Sequence, residues 1–244
     1  MESVVEEIEI LYGKYGINYI FFQDEMFVAS KKRMIEFHDE LKRKRLLGLI
    51  KWGGDSRVDV IDKEMLEILK STNVQFLDYG FESMDDNVLT LMKKKVTAND
   101  NWKCAELTRQ AGIPFNMNIL WGMPGDTVDS IKKNKLFIDE FNSHSFLRTI
   151  RPPTPYPGCE LYDLAVKEGK LKGPADFFDK FTNSDRLTVN FTDIPDEKFY
   201  MHLYQVNADL VRKYYEHNRM MLTRKFFNVY FNDEVTFRGA RHYA

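Results

Sequence analysis

Acidic and hydroxyl side chains follow two apolar stretches that have the length of buried strands. Ile17 to Phe22 precedes Asp24, and the stretch from Val74 to Ser83 finishes on Glu82 and Ser83. Carboxylates in such positions can accept hydrogen bonds from an ammonium group or from ribose hydroxyls. The carboxyl ends of parallel strands open onto one face, so these side chains could act on one ligand. Each could equally be a polar loop residue or cap the following helix.

Three more apolar stretches are predicted to be strands, and the turns that follow them contain residues that could bind a ligand. They are Leu46 to Trp52, Phe115 to Trp121 and Phe146 to Ile150. Arg57 follows the first of them across a loop that begins at Gly53, and its guanidinium could hold a carboxylate through two hydrogen bonds. The third leads into a proline-rich turn that contains Tyr156, which could be a ligand contact or ordinary packing on prolines.

Amphipathic helices separate these predicted strands. Ser30, Asp62 and Thr127 are predicted to cap three of the helices, and Ser83 or Asp85 a fourth, because their side chains accept hydrogen bonds from helix amides. Strand and helix alternate five times, which predicts a parallel sheet, open or curled into a barrel. The alternation stops near residue 170. The region 171–244 is predicted to be a mostly helical extension, with a strand at Leu187 to Phe191 and a long helix from Pro195 to about Met220.

The charge balance argues against several classes of partner. The 244 residues include 35 basic and 37 acidic side chains, so no global field attracts nucleic acid or an anionic membrane. No apolar run is long enough to cross a bilayer, and Met1 leads into an acidic amphipathic segment rather than a signal peptide. We therefore expect a cytoplasmic α/β protein with neither a nucleic-acid partner nor a membrane span.

The ordered set of strand ends resembles the radical S-adenosylmethionine (radical SAM) enzymes, in the branch whose members often carry a cobalamin-binding domain. The segments that carry the resemblance are FFQDEMF at 21–27, YGFES at 79–83, NILWGMPGDT at 118–127 and PPTPYPGCELY at 152–162. A single glycine-rich turn would be weak evidence, whereas the ordered set is fairly specific. The resemblance covers Glu2 to about Gly169 and implies a partial (βα)6 TIM-like barrel, here represented by strands two to six over residues 1–170.

The resemblance implies that S-adenosylmethionine lies across the strand ends. Asp24 would contact its methionine part, and Arg57 would pair with its carboxylate. Glu82 and Ser83 would hold its amino group or its ribose. The remaining implied contacts, along the adenine, are Asn118 to Gly122 and Tyr156.

The resemblance also exposes a departure from the family. Its enzymes hold a four-iron, four-sulfur (4Fe-4S) cluster on three cysteines of a C-x-x-x-C-x-x-C loop after the first strand. This chain has only Cys104 and Cys159, which are far apart and have no metal-ligand spacing. We therefore expect that the first strand and cluster loop are missing, through truncation, a broken gene or a split subunit. Ile17 to Phe22 would then be an uncovered edge that promotes association.

Three functions stay open at this point. The chain could be the cofactor-binding part of a radical SAM enzyme, inactive until the missing segment or subunit is supplied, with cobalamin implied if an upstream domain exists. Its small-molecule or peptide substrate is not specified by the sequence, and the reaction would be hydrogen abstraction or methyl transfer. The chain could instead be a non-catalytic binding or interaction protein derived from the barrel. A cluster-free enzyme that uses Asp24 and Glu82 as acid and base ranks last, because no histidine, lysine or metal ligand set accompanies them.

Overall fold

The computed structural model describes residues 1–180 and 189–231, and its centre is a parallel sheet of four strands. The strands are β1 (Tyr19–Phe22), β2 (Lys51–Ser56), β3 (Val74–Glu82) and β4 (Phe115–Ile119). They lie in the sheet in chain order, so each strand pairs with the one before it and β1 lies at one edge of the described sheet. The predicted α/β class with a parallel sheet is confirmed.

Nine α-helices are described, and several begin where the sequence predicts. They are α1 (Glu2–Tyr15), α2 (Lys31–Arg43), α3 (Lys63–Ser71), α4 (Asp86–Leu91), α5 (Ala98–Gln110), α6 (Val128–Phe141), α7 (Glu160–Lys167), α8 (Pro174–Lys180) and α9 (Asp196–Phe231). Ser30, Asp62, Asp85 and Thr127 accept helix amides at the starts of α2, α3, α4 and α6, as predicted. None of the helices in the described ranges is long and apolar enough to span a membrane.

One face of the sheet packs against helices and forms the main core. Trp52 of β2 is fully buried there, edge-to-face with Phe22 and Phe37 at 5.8 and 5.6 Å between ring centroids. Its indole Nε1 donates to the Thr72 carbonyl oxygen at 3.0 Å, so its polar group is satisfied inside the core. Burial of these large rings fixes β1 and β2 against α2 and α3.

The second strand lies further along the chain than predicted. Gly53, Gly54, Asp55 and Ser56 belong to β2, whereas the sequence analysis placed them in a loop. Glycine is depleted in strands, which is why the pattern indicated a turn. Packing overrides that preference, because a Cβ on Gly53 would lie 3.0 Å from both Phe21 Cδ2 and the carbonyl oxygen of Phe76.

The predicted strand from Phe146 to Ile150 is wrong. Only Arg151 pairs with the sheet, through a single parallel bridge to Leu120. The hydrogen bonds of Ile150 go instead to Asn207 of α9, which accepts from its N–H at 2.8 Å and donates to its carbonyl at 2.9 Å. A side chain 57 positions away therefore replaces a neighbouring strand.

The long carboxy-terminal helix shares the core of the sheet. The sequence predicts Pro195 to about Met220, and α9 runs from Asp196 to Phe231. Phe199 stacks on Trp121 at 4.5 Å, and Leu203 and Leu210 are buried in the same cluster. The predicted strand at 187–191 falls partly outside the described residues, and 189–191 are not in a strand.

Candidate functional site at the carboxyl ends of the strands

Glu82 forms the centre of a charged group where β3 ends. Lys94 Nζ lies 2.8 Å from Glu82 Oε1, and both side chains are about one-fifth exposed. The backbone of Glu82 has a φ of 64°, a left-handed conformation that costs a non-glycine residue on the order of 1 kcal/mol. The pairing with β4 is irregular between Gly80 and Glu82, so the strand bends where the carboxylate is presented.

This ion pair lies over Gly80, in the space that a side chain at that position would fill. A Cβ at position 80 would be 2.6 Å from Glu82 Oε1 and 3.1 Å from Lys94 Nζ. Because Gly80 has no side chain, the carboxylate of Glu82 and the ammonium group of Lys94 can lie directly over it. The Glu82 side chain is thereby held back over the end of its own strand.

Arg57, at the end of β2, joins the same group of residues. Its Nε and Nη2 each donate to one carboxylate oxygen of Asp59 at 2.9 Å, and its Nη2 also lies 3.4 Å from the carbonyl oxygen of Lys94. The hydrogen-bonded pair raises the pKa of Arg57 and lowers that of Asp59. The structure thus brings Arg57 and Glu82 together through Lys94, as parts of one strand-end group.

A second polar group lies on the open face of the sheet, the face opposite the helices. Asn118 Nδ2 donates to Asp78 Oδ1 at 2.6 Å, and Asn116 Nδ2 donates to Asp78 Oδ2 at 3.2 Å. Asp55 is the register partner of Asp78 on β2. Burial, together with the charge of Asp78, raises the pKa of Asp55 to about 6, and burial also raises the pKa of Asp78. The negative charge of Asp78 therefore disfavours ionisation of Asp55 on the neighbouring strand.

The Asp55→Asn variant should be more stable than the unmodified chain above neutral pH. Because the folded pKa of Asp55 is raised from 3.8 to about 6, its stabilising contribution is complete below about pH 4 and lost as the pH rises through about 6. Allowing for solvent screening of a partly exposed group, we expect the variant to gain about 1 kcal/mol at about pH 8 and nothing at about pH 4.

Denaturant unfolding at both pH values measures this difference. Asp129→Asn, which changes an exposed carboxylate on α6, is the control and should leave the pH dependence unchanged. A gain for Asp55→Asn that is equal at both pH values would contradict the assignment.

A cleft with a volume of ≈ 750 Å³ lies beyond the end of β4. Its lining includes Leu120, Met123, Tyr156 and Leu161, and Asn207 of α9. The sequence-predicted Tyr156 thus lines the same cleft as the segment that follows β4. Its ring is about half exposed and lies 6.0 Å from that of Phe177.

Gly122 marks the place where α9 approaches this cleft. Its φ is 119°, and a Cβ there would be 2.8 Å from Phe199 Cζ. Its N–H donates to Asp126 Oδ2 at 2.9 Å, and its carbonyl accepts from the N–H of Phe191 at 2.9 Å. Both backbone polar groups of Gly122 are therefore hydrogen-bonded within the protein, and Phe199 occupies the space where a side chain would be.

Two predicted site residues stand apart from these groups. Ser83 is buried, and its hydroxyl oxygen accepts from the N–H of Asp85 at 3.2 Å while its carbonyl accepts from Asn101 Nδ2 at 3.0 Å. These contacts shape the turn into α4. Asp24 is exposed in the turn after β1, and the structure does not join it to the group around Glu82.

Sequence reasoning missed Lys94, Asp55, Asp78 and Asn116. The acids were detectable in part, since Asp78, Gly80 and Glu82 alternate with buried residues along β3 at the period of two that marks one face of a strand. Lys94 gives no such signal, because its position depends on the loop after α4.

The described residues do not fit a 4Fe-4S cluster. Among residues 1–180 and 189–231, no three Cys, His, Asp or Glu side chains are grouped to hold a metal. Cys104 is buried in α5, where burial raises its thiol pKa to about 12, and Cys159 is exposed at the start of α7. A buried neutral thiol and a distant exposed one do not provide clustered thiolates. The strand-end group and the adjoining cleft, by contrast, offer the donor types that an amino acid and a nucleoside require.

The fold is that of a partial α/β barrel, with a group of polar side chains at the carboxyl ends of its strands. The family model of the Radical SAM superfamily matches residues 1–138, more than half of the chain, and the chain belongs to that superfamily.

Two relatives are similar to this chain in sequence. An uncharacterized methyltransferase of Pyrococcus horikoshii is 27% identical over 171 residues, which cover 70% of this chain and 36% of that protein. The anaerobic magnesium-protoporphyrin IX monomethyl ester cyclase of Cereibacter sphaeroides is 27% identical over 134 residues, 54% of this chain and 22% of the cyclase. The chain thus spans about a third or less of either relative.

A solved structure shares the fold. The radical S-adenosylmethionine methyltransferase TsrM of Kitasatospora setae, solved with cobalamin and a [4Fe-4S] cluster, superposes with a TM-score of 0.50. The two are 22% identical over 61% of this chain and 29% of TsrM. This likeness supports the partial barrel that the sequence predicts.

Proposed function

We propose that the chain binds S-adenosylmethionine across the carboxyl ends of β2, β3 and β4 as the cofactor-binding part of a radical SAM enzyme that transfers a methyl or methylthio group. The observation that carries the proposal is the strand-end group of Glu82, Lys94 and Arg57 in a chain of this superfamily. Relatives named as a methyltransferase and as tRNA methylthio-synthases support the reaction class.

Each end of the cofactor has residues suited to it. The Glu82 carboxylate would accept the ammonium group of the methionine part, and the Arg57 guanidinium would pair with its carboxylate. The cleft between Leu120 and Tyr156 would take the adenosine, since its ≈ 750 Å³ volume is within the usual range for small-ligand sites. Bound S-adenosylmethionine would supply the methyl or adenosyl group, and the role assigned to this chain is to hold and orient it.

No radical step is assigned to the described residues, because they do not provide the thiolates of a 4Fe-4S cluster. In the proposed enzyme the cluster ligands, and cobalamin if it takes part, would come from other parts of the protein or from a second subunit. The same observation supports the second candidate, a non-catalytic binding protein derived from the barrel. A measurement of S-adenosylmethionine binding distinguishes the two candidates where the barrel-derived protein no longer binds the cofactor.

Titration calorimetry of the chain with S-adenosylmethionine tests the proposal. We expect one site per chain, and the absence of heat and of competition with a labelled cofactor would refute it. Anaerobic reconstitution with iron and sulfide, followed by absorption spectroscopy, is a separate measurement that reports on cluster ligands and not on the cofactor site.

The Lys94→Met variant should bind S-adenosylmethionine more tightly than the unmodified chain. Lys94 places an ammonium group on Glu82 where the cofactor's ammonium would bind, so its removal ends a competition. A partly buried ion pair of this kind should give an increase of about three- to tenfold in affinity. Lys93→Met is a matched control, because Lys93 pairs with Glu160 in an exposed position. Weaker binding by Lys94→Met would show that Lys94 holds the cofactor instead of competing with it.

A further inference from the structure

The outer face of α9, the side turned away from the sheet, carries a row of apolar side chains. Met201, Tyr204 and Tyr215 are 52, 70 and 57% exposed, and Ala208 and Val211 of the same row are also accessible to solvent. The five residues are spaced at alternating intervals of three and four along the helix. This is the spacing at which two helices pack side by side in a coiled coil. The outer face thus has the pattern of a contact between helices.

The opposite side of α9 already packs against the sheet. Phe199, Leu203 and Leu210 are buried there in the main core. The helix is therefore apolar on two sides, although only one of them is covered within the described residues. A surface helix normally exposes a polar side, so a second apolar side indicates a further partner.

Opposite charges lie at the two ends of the outer face. Glu197 near its start and Arg219 near its end are both exposed, and Ala208 lies midway, eleven residues from each. In the part of the chain that the structure describes, neither charged side chain forms an ion pair. The two charges are about 33 Å apart along the helix. A second copy turned by 180° about Ala208 would bring Glu197 of each copy opposite Arg219 of the other.

The same two-fold arrangement matches the rest of the face. Met201 would lie opposite Tyr215, a contact between a thioether and an aromatic ring. Tyr204 would lie opposite Arg212, whose exposed guanidinium can stack on the ring. Ala208 would meet its own counterpart at the axis, and two small side chains let the helices approach closely. A face that fits itself in this way favours a second copy over an unrelated partner.

We infer that the outer face of α9 binds a second copy of this chain, through an antiparallel pair of α9 helices with a two-fold axis at Ala208. The exposed tyrosine and methionine side chains of both copies would bury on the order of 1000 Å², which is the lower limit for a specific interface. The dimer should therefore be weak, with a Kd of about 1–100 μM. This inference does not depend on cofactor binding.

Sedimentation velocity of the chain at concentrations from about 1 to 200 μM tests the inference, and the dimer fraction should rise across that range. Tyr204→Glu places a charge in the centre of the interface, so it should raise the Kd by about tenfold or more. Tyr15→Glu on α1 changes a tyrosine that is 61% exposed, and it should leave the Kd unchanged. Circular dichroism confirms that each variant is folded.

Charge reversal tests the relative direction of the two helices. Glu197→Arg and Arg219→Glu should each weaken self-association by about three- to tenfold, because like charges would then face each other. In a mixture of the two variants, one copy carries arginine at both positions and the other carries glutamate at both, so each facing pair is again opposite in charge. The mixed dimer should therefore form about as readily as the dimer of the unmodified chain. Lys198→Glu, which reverses an exposed charge outside the row, is the control and should leave association unchanged.

The inference would be wrong if the chain stays monomeric at every concentration, which would leave a different polypeptide as the occupant of this face. It would be equally wrong if Tyr204→Glu dimerises as well as the unmodified chain, or if Tyr15→Glu is the variant that weakens association. A mixture of the two charge variants that associates no better than either alone would exclude the antiparallel arrangement.

Discussion

Glu82→Gln is expected to lower the affinity for S-adenosylmethionine by about 10- to 100-fold. The substitution keeps the size of the side chain and removes its charge, and a hydrogen bond to a charged group contributes about 1.5–3 kcal/mol. Lys94 loses its partner in the variant, so a loss of stability is also expected. Equilibrium dialysis with labelled cofactor measures the affinity, and thermal unfolding measures the stability.

Two controls make the Glu82 result specific. Glu140→Gln removes an exposed carboxylate that pairs with Arg109 on the helical layer, and it should leave cofactor affinity unchanged. The double variant Glu82→Gln with Lys94→Met removes the unpaired ammonium group, and it should recover stability without recovering affinity. Cofactor affinity that survives in Glu82→Gln would exclude this carboxylate as a ligand.

Gly122→Ala is expected to destabilise the chain by about 2–4 kcal/mol. The backbone there has a φ of 119°, which an alanine rarely adopts, and the new Cβ would meet the fully buried ring of Phe199 at 2.8 Å. Because Phe199 stacks on Trp121, the clash would also loosen α9 from the end of β4. Denaturant unfolding followed by tryptophan fluorescence measures both effects.

Gly13→Ala is the matched control for this substitution. Gly13 lies inside α1, and a Cβ there would meet nothing within 4 Å. Alanine should therefore stabilise the chain by about 0.5–1 kcal/mol. A Gly122→Ala variant as stable as the unmodified chain would mean that α9 does not pack on Gly122 as described.

The sequence predicted those elements whose signals are local. β3 and its polar end at Glu82 follow from an apolar stretch bounded by glycine, and the starts of α2, α3 and α6 follow from their capping side chains. Hydrophobic periodicity and capping depend on neighbouring residues, so they can be read without the fold.

The sequence failed where distant residues decide the structure. β2 accepts two glycines because Phe21 needs the space above Gly53, and the predicted strand before Arg151 is lost to Asn207 of α9. The Lys94 contact with Glu82 depends on the backbone bend at position 82, which no pattern in the chain announces. The residues implied by the family resemblance therefore include the strand-end acid but not the lysine that pairs with it.

Chemical-shift mapping of the isotopically labelled chain with S-adenosylmethionine tests the central claim most directly. The account predicts that the backbone amides most perturbed by the cofactor are those of Arg57, Glu82, Lys94 and the segment 120–122, at the carboxyl ends of the strands. No perturbation at saturating cofactor, or perturbation confined to the outer surface of α9, would contradict it.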